Sequence, residues 1–317
     1  MSVSDAEALF GQILDGALDD DAIRTVLVDM AERGETADEV AGAARAMRAR
    51  MAQVSAPADA MDVCGTGGDG QHSLNVSTAV ALVLAACDVP VAKHGNRAAS
   101  SKAGGADTLE ALGLDLNRAS LTAAETLSDL GIAFLFAQKH HPALARIAPI
   151  RKALGRRTIF NLLGPLANPA GVTRQLVGVA NPAILPLYRD SLMQLGCERA
   201  MIVSGQEGLD ELSISGPSEF ATIGLSLSGG IVTPEDAGLQ RHPAEALKGD
   251  DAAFNAAALR RMLDGEPGAY RDAVLLNTAG ALIVAGIADD WQSGVEEAAE
   301  AIDKGLAKAL LECWIAW

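Results

Sequence analysis

The sequence predicts an α/β protein: a small N-terminal all-helical domain, residues 1–58, followed by a larger α/β domain, residues 61–317, in which helices flank a central sheet. Three observations predict it. Apolar residues recur at helical spacing through the N-terminal segment. Beyond Met61, short apolar runs of strand length alternate with longer helical stretches. Hydrophobic residues make up 49% of the 317-residue chain and aromatic residues only 3%. A sizeable core must therefore be built from Ala, Val, Leu, Ile and Met, which suits helices packed closely on a sheet.

The elements follow in order. Leu9 and Ile13, and Phe10 and Leu14, repeat at i, i+4 and mark a first helix. Asp20 is positioned to cap a second, carrying Ile23, Val26, Leu27 and Met30. Thr36-Ala-Asp-Glu39 fits a capping box and opens a third with Val40, Ala43 and Met47. Residues 53–60, with Pro57 and small side chains, read as a linker. Strands are expected at 61–64, 89–92, 133–137, 175–180 and 199–204. Helices are expected at 78–86, 183–195, 273–285 and 295–317, the last two covering the sheet. The helical unit is short and Ala-rich, so it is expected to pack on the rest of the chain or on a second subunit. Helices from about 140 to 168 are candidates to join it in space.

Composition excludes several functions. A net charge of −16 argues against nucleic acid as a partner. No run approaches the length of a membrane span, and the acidic N-terminus does not read as a signal peptide. Four scattered cysteines, Cys64, Cys87, Cys197 and Cys313, show no metal spacing and suit a reducing compartment. The expectation is a soluble cytoplasmic protein. Yet residues 139–157 hold six Lys or Arg and no acid, and residues 89–106 hold three more on the same terms. Such segments in an acidic protein suit a small bound anion, although solvated helix faces look the same by charge alone.

Two constellations sharpen that reading. Gly65-Thr-Gly-Gly-Asp69-Gly70 follows a strand and lets several backbone N–H groups face one anion. It is neither a GxGxxG nor a P-loop. Ser73, Asn75, Ser77 and Thr78 come next and open a helix, where hydroxyls and N–H groups suit phosphate. The second, Lys93-His-Gly-Asn-Arg97, ends a strand and precedes Ser100-Ser-Lys102 and Gly104-Gly105. Cations, glycine and paired hydroxyls are again what a polyphosphate needs.

The segments Asp62-Val-Cys-Gly-Thr-Gly-Gly-Asp-Gly70, Asn75-Val-Ser-Thr78 and Lys93-His-Gly-Asn-Arg97 closely resemble the signature of the anthranilate phosphoribosyltransferases. The similarity continues through His140-His-Pro-Ala143, Arg151-Lys-Ala-Leu-Gly155, Arg157-Thr-Ile-Phe-Asn-Leu-Leu-Gly-Pro-Leu166, Gly208-Leu-Asp-Glu-Leu212 and Thr233-Pro-Glu-Asp236. It runs nearly end to end with family-like spacing. Pyrimidine nucleoside phosphorylases share the architecture but lack this combination.

The resemblance implies a helical domain beside an α/β domain with a mixed sheet, dimeric through the helical part. It also implies transfer of the phosphoribosyl group of phosphoribosyl pyrophosphate to anthranilate, with Mg2+, in tryptophan biosynthesis. Gly65, Gly68, Asp69, Ser73, Asn75, Val76, Ser77 and Thr78 would surround the donor. Lys93, His94, Gly95, Asn96, Arg97, Ala98, Ala99, Ser100 and Ser101 would form the loop over it, with Gly105 close by. Asn96 and Arg151, with Gly65, His94 and Pro165, would position anthranilate. Ser77, Asp210 and Glu211 would serve the metal. No catalytic base is nominated. By themselves, Asp210-Glu211 is an ordinary acidic turn and Arg151 a surface arginine; the resemblance gives them roles.

The chain departs from the family pattern at three places. Gly105 stands where serine is common, Leu247-Lys-Gly-Asp-Asp-Ala252 replaces Leu-Lys-Gly-Gly-Asp-Ala, and Phe254 stands at a usual glutamate. The first puts one phosphate contact in question; a serine there is expected to lower the Michaelis constant for the donor. Two alternatives compete: a nucleoside phosphorylase-like enzyme, and a paralogue without catalysis that binds a ligand or partner. Arg151 and the 157–166 segment oppose the first, the intact Gly65–Asp69 loop and Asp210-Glu211 the second.

Overall fold

The structure is a computed structural model that describes residues 1–98 and 102–317. The expected donor-loop positions Ala99, Ser100 and Ser101 lie outside the described residues.

Three helices come first: α1 (Val3–Asp15), α2 (Asp20–Arg33) and α3 (Ala37–Arg48). Ser2 and Asp19 cap the first two with side-chain oxygens. The cap of α2 is thus Asp19, one residue before the expected Asp20, because Asp19 is the residue with extended backbone. Thr36 and Glu39 form the expected reciprocal capping box on α3.

The α/β part continues with β1 (Met61–Gly65), α4 (Val76–Ala86), β2 (Val91–Gly95), α5 (Gly105–Leu112), α6 (Leu116–Leu121), α7 (Ala123–Leu130) and β3 (Ile132–Phe136). Next come α8 (Ala137–His140), α9 (Leu144–Leu154), β4 (Arg174–Gly178), α10 (Leu185–Gln194), β5 (Arg199–Gly205), β6 (Ser218–Ile223) and β7 (Gly230–Val232). Four helices finish the chain: α11 (Ala252–Leu263), α12 (Ala269–Ala285), α13 (Trp291–Asp303) and α14 (Leu306–Ala316). Strand β2 starts later than the apolar run at 89–92 because Pro90 has no N–H for the ladder; its carbonyl accepts from Met61 instead. The helix expected over 295–317 is two, broken at Gly305 with φ +71°.

The seven strands form one sheet in the order β3-β2-β1-β4-β5-β6-β7. The first five are parallel, and β6 and β7 add antiparallel, making the sheet mixed. From β1 the chain winds outward through β2 and β3, then returns to the other side of β1 for β4 and β5. The strand order therefore reverses between β1 and β4, where open α/β sheets hold ligands beyond the strands' carboxyl ends. Strands β1, β2, β4 and β5 all end in glycine at that edge.

Helices cover both faces. On one, α4 is almost wholly buried and joins α12, α13 and α14 in one apolar cluster with β1, β2 and β3. On the other, Phe10, Ile13, Ile23, Leu27 and Val40 share a single core with Ile147, Ile150, Phe160, Tyr188 and the β4–β5 residues Val177 and Ile202. The N-terminal helices thus bury their apolar side chains against α9, α10 and the 159–167 segment. Phe10 meets Phe160 edge to face, ring centroids 5.8 Å apart.

Candidate active site

Three segments meet over the β1–β4 gap: the turn after β1, the N-terminus of α4, and the turn 208–212 after β5. Their meeting requires glycine. A Cβ on Gly65 would lie 2.3 Å from Asp210 Oδ2, and one on Gly178 only 1.6 Å from the Asp210 carbonyl. The strand-end glycines make room for Asp210 to sit across the paired strands.

Asp210 Oδ2 accepts the Gly67 N–H at 2.6 Å. Glu211 Oε1 accepts the Ser77 N–H at 3.0 Å, in the first turn of α4, where the helix dipole favours an anion. The other Glu211 oxygen is buried without a hydrogen-bond partner among the described residues. Burial, then the neighbouring acids, push both carboxyls well above the ordinary carboxylate range; for Asp210 the principal neighbour is Asp69, for Glu211 it is Asp210. Two half-buried carboxyls that resist ionisation this way are poised for a cation.

Lys93 lies beneath this pair. Its buried Nζ donates to the Val63 carbonyl at 2.7 Å and to Ser77 Oγ at 3.2 Å. Burial lowers its pKa, while Asp62 and the acids above oppose that shift. Asp62, itself buried, accepts the His94 N–H at 3.1 Å and the Asn168 amide at 2.8 Å. The base of the site is thus a fixed internal charge network.

The structure brings Ser77, Asp210 and Glu211 together with the Gly65–Asp69 turn and Lys93. Asn75 is more constrained: its Oδ1 accepts from Thr108 and Asn255, its Nδ2 donates to the Ala103 carbonyl, and its own carbonyl accepts from Tyr270. Ser73 forms a β-bridge with Lys248 and lines a cavity of about 570 Å³ with Lys102, Lys248 and Phe254. Buried Val76 and Thr78 can offer a ligand little beyond backbone, whereas Asn96 and Arg97 are exposed.

His94 and Pro165 meet at one turn. His94 Nδ1 donates to the Gly164 carbonyl at 3.0 Å, next to buried Pro165. Its Nε2 faces His141 Nε2 at 3.2 Å. Burial, then the neighbouring His141, pull the His94 pKa down to about 3, so it is neutral at physiological pH. Arg151, on α9, stacks over Phe160 at the other end of the same segment, 5.6 Å from the ring centroid. Half-buried, its guanidinium has no hydrogen bond or ion pair among the described residues, and burial alone shifts its pKa downward. A cation held in that way is a ready partner for a carboxylate.

Sequence reasoning missed several supports. Arg157 Nη1 donates to the Gly68 carbonyl at 3.0 Å and ties down the turn after β1; the acid-free basic run was its only signal. Asn277 accepts the Leu212 N–H and donates to the Leu212 carbonyl, both at 2.9 Å, fixing the turn that carries Asp210 and Glu211. An asparagine in the apolar run of α12 was the available clue. His141, Asp62 and Asn168 lay inside quoted motifs or beside them without roles.

Gly105 begins α5 with no positive φ, so serine fits the backbone. A Cβ there, however, would approach Thr78 Oγ1 to 2.9 Å, and Thr78 is buried. Gly105→Ser alone should therefore change the donor Michaelis constant by less than about threefold. The added hydroxyl, worth up to ~1.5–3 kcal/mol, is offset by displacement of Thr78. Steady-state kinetics checks this; a clean several-fold drop would show that Thr78 yields freely.

A helical bundle beside an α/β domain, with the site at the strand-order reversal, is the architecture of the glycosyl transferase family. Residues 1–51 match the helical bundle domain of the glycosyl transferase family and residues 57–308 its a/b domain. The chain is 66% identical over 314 residues to the anthranilate phosphoribosyltransferase of Novosphingobium aromaticivorans, covering 99% of this chain and 95% of that protein. The crystal structure of the Thermus thermophilus anthranilate phosphoribosyltransferase superposes with a TM-score of 0.95 at 42% identity, over 100% of this chain and 95% of that one. The Saccharomyces cerevisiae enzyme in complex with phosphoribosyl pyrophosphate and Mg gives 0.90 at 29% identity, over 99% and 93% of the two chains. The chain belongs to the anthranilate phosphoribosyltransferase family.

Proposed function

We propose that this chain transfers the 5-phosphoribosyl group of phosphoribosyl pyrophosphate to the amine of anthranilate, releasing pyrophosphate, as a step of tryptophan biosynthesis in the cytoplasm. The observation that carries the reading is the half-buried Asp210-Glu211 pair at the strand-order reversal, with one buried Glu211 oxygen unpartnered among the described residues. Arg151 supplies the complementary feature, a half-buried cation suited to the anthranilate carboxylate.

The residues fit Mg2+. Asp210 and Glu211 are hard-oxygen donors, with the Ser77 hydroxyl held close by through the Lys93 contact. Among the described residues, no three His, Cys, Asp or Glu side chains converge on one metal position. One or two carboxylates completed by substrate phosphate is a usual magnesium arrangement. When bound, the metal would neutralise charge growing on the departing pyrophosphate.

Displacement at C1 of the ribose proceeds through a cationic, oxocarbenium-like transition state and requires no protein nucleophile. The backbone amides of the turn after β1 and the amino end of α4 receive the donor's anionic groups. Arg157 and Asn277 hold those turns in place, so the site is organised before chemistry. Asn96 and Arg151 orient anthranilate, and positioning supplies much of the rate. The aromatic amine is unprotonated near neutral pH, so no base is assigned.

Anthranilate fluorescence tests the reading: it should fall when phosphoribosyl pyrophosphate and magnesium are both added and stay constant with either alone. No loss with both present overturns it.

The protein is also proposed to be a homodimer built on the N-terminal helices. Most of their apolar side chains are covered within the chain, but Leu9, Leu18 and Val26 stay partly exposed. Sedimentation at micromolar concentration should give about twice the chain mass; a clean monomer would reject the dimer.

A further inference from the structure

We propose that Gln175 and Arg48 are positioning residues for the anthranilate acceptor: from two different elements they fix the backbone of the segment 162–166, which carries Pro165. The proposal rests on the phosphoribosyl-transfer reading, which places anthranilate against Pro165 and His94.

Residues 162–166 lie outside helix and strand, so no regular ladder takes up their carbonyls, and carbonyls in a buried segment need partners. Each finds one. Tyr188 Oη, on α10, donates to the Leu162 carbonyl at 2.8 Å. The Leu163 and Gly164 carbonyls accept the Leu166 and Ala167 N–H groups at 3.1 and 3.2 Å, and the Gly164 carbonyl also takes His94 Nδ1, from β2, at 3.0 Å. Gln175 Nε2, on β4, donates to the Pro165 carbonyl at 2.7 Å. Arg48 Nε, on the last residue of α3, donates to the Leu166 carbonyl at 2.7 Å. Side chains from a helix of the N-terminal domain, two strands and α10 thus hold one short segment.

The contacts converge on the Pro165 ring. The Gly164 carbonyl belongs to the peptide entering Pro165, and His94 holds it. The Pro165 carbonyl belongs to the peptide leaving it, and Gln175 holds that one; Arg48 holds the next. Because proline fixes its own φ, the planes of these peptides set the direction of the ring. Gln175 is 2% exposed and shares a sheet face with Val177, in the core under the N-terminal helices. An amide on an apolar sheet face costs stability unless it is bonded, so its place there is explained by the carbonyl it holds rather than by packing. Arg48 is half-buried, donates also to the Leu195 carbonyl at 3.4 Å, and has its pKa lowered by burial. Through it the helical domain reaches the wall of the acceptor site.

Gln175→Met keeps the length of the side chain and removes the donor; Arg48→Met does the same at α3. Steady-state kinetics at saturating phosphoribosyl pyrophosphate and magnesium should show the anthranilate Michaelis constant raised about fivefold in each, the scale of one lost hydrogen bond. The donor Michaelis constant at saturating anthranilate should stay within about twofold. Arg48→Lys keeps the stem and restores an N–H donor, so it should recover most of the anthranilate constant that Arg48→Met loses. A purely structural role would lower the melting temperature and leave the ratio of the two constants unchanged. Should Gln175→Met not fold, the half-exposed Arg48 variants decide alone. A parent-like anthranilate constant in either folded methionine variant, equal weakening of both substrates, or no recovery with Arg48→Lys overturns the proposal. A parent chain that does not consume anthranilate overturns the phosphoribosyl-transfer reading instead, and the proposal falls with it.

Discussion

Replacing Asp210 with Asn and Glu211 with Gln should lower turnover by at least about a hundredfold, the scale for losing electrostatic stabilisation of a developing charge. The double variant keeps side-chain size and removes two charges from the place where pyrophosphate departs. The amide oxygens it introduces can still accept from the Gly67 and Ser77 N–H groups, so the turn should hold its shape. Raising magnesium should restore part of the rate. Unchanged turnover with an unchanged magnesium response would remove the pair from the mechanism.

The same variant should be more stable than its parent in magnesium-free buffer, and the sign follows from the pKa shifts. Burial and the neighbouring acids raise both carboxyls above their unfolded values, Asp210 to about 7. Below about pH 4 these groups are protonated in both states and cost nothing. As pH rises, the unfolded chain ionises freely while the folded site resists. The parent should therefore lose stability as pH rises from about 4, through about 7 for Asp210 and onward for Glu211, by an amount on the order of a few kcal/mol, and the variant should not. Thermal melts at pH 5 and pH 8 measure the difference, and magnesium should restore the parent at pH 8. Stability is thus given up at the place where the proposed function uses two half-buried carboxylates.

The main architecture was legible in the sequence because its cues are local. Helical periodicity and the Thr36–Glu39 box mark α3; apolar runs mark β1, β3, β4 and β5. Boundaries slipped where a single backbone group decides them, as at Pro90 or Gly305. Strands β6 and β7 went unread because one is short and the other half-exposed; their pairing with β5 defines them more than their composition does. The site's primary residues were legible as motifs, since glycine turns, hydroxyls and cations cluster within each. Their supports were not. Arg157, Asn277 and Arg48 act on backbone groups far away in the chain, and nothing in a linear pattern gives that partner. The tight fit of Asp210 over Gly65 and Gly178 likewise exists only once β1 and β4 are paired. Gly105 shows the reverse limit: a missing hydroxyl was legible, but the Thr78 side chain that crowds its replacement was not.

Arg151→Ala should damage anthranilate binding far more than donor binding. A charge-assisted pair between guanidinium and carboxylate contributes about 1.5–3 kcal/mol, or roughly ten- to a hundredfold in affinity. Arg151 is prepared for that partner: it is half-buried on α9, braced over Phe160, and lacks an acidic neighbour among the described residues. Burial pulls its pKa below the ordinary arginine value with no counter-charge to offset the effect, so an incoming carboxylate relieves an existing cost. The free protein should lose little when the side chain goes, since stacking on Phe160 contributes only about 0.5–1 kcal/mol. Arg151→Lys should recover only part of the affinity, because an ammonium cannot match the planar, two-point grip on a carboxylate. Calorimetry with each substrate, beside a thermal melt, separates the cases. A selective loss of anthranilate at nearly unchanged melting temperature places the carboxylate on Arg151. Equal weakening of both substrates would place the side chain at the phosphates, and a large drop in melting temperature would make it a structural element of the 159–167 segment.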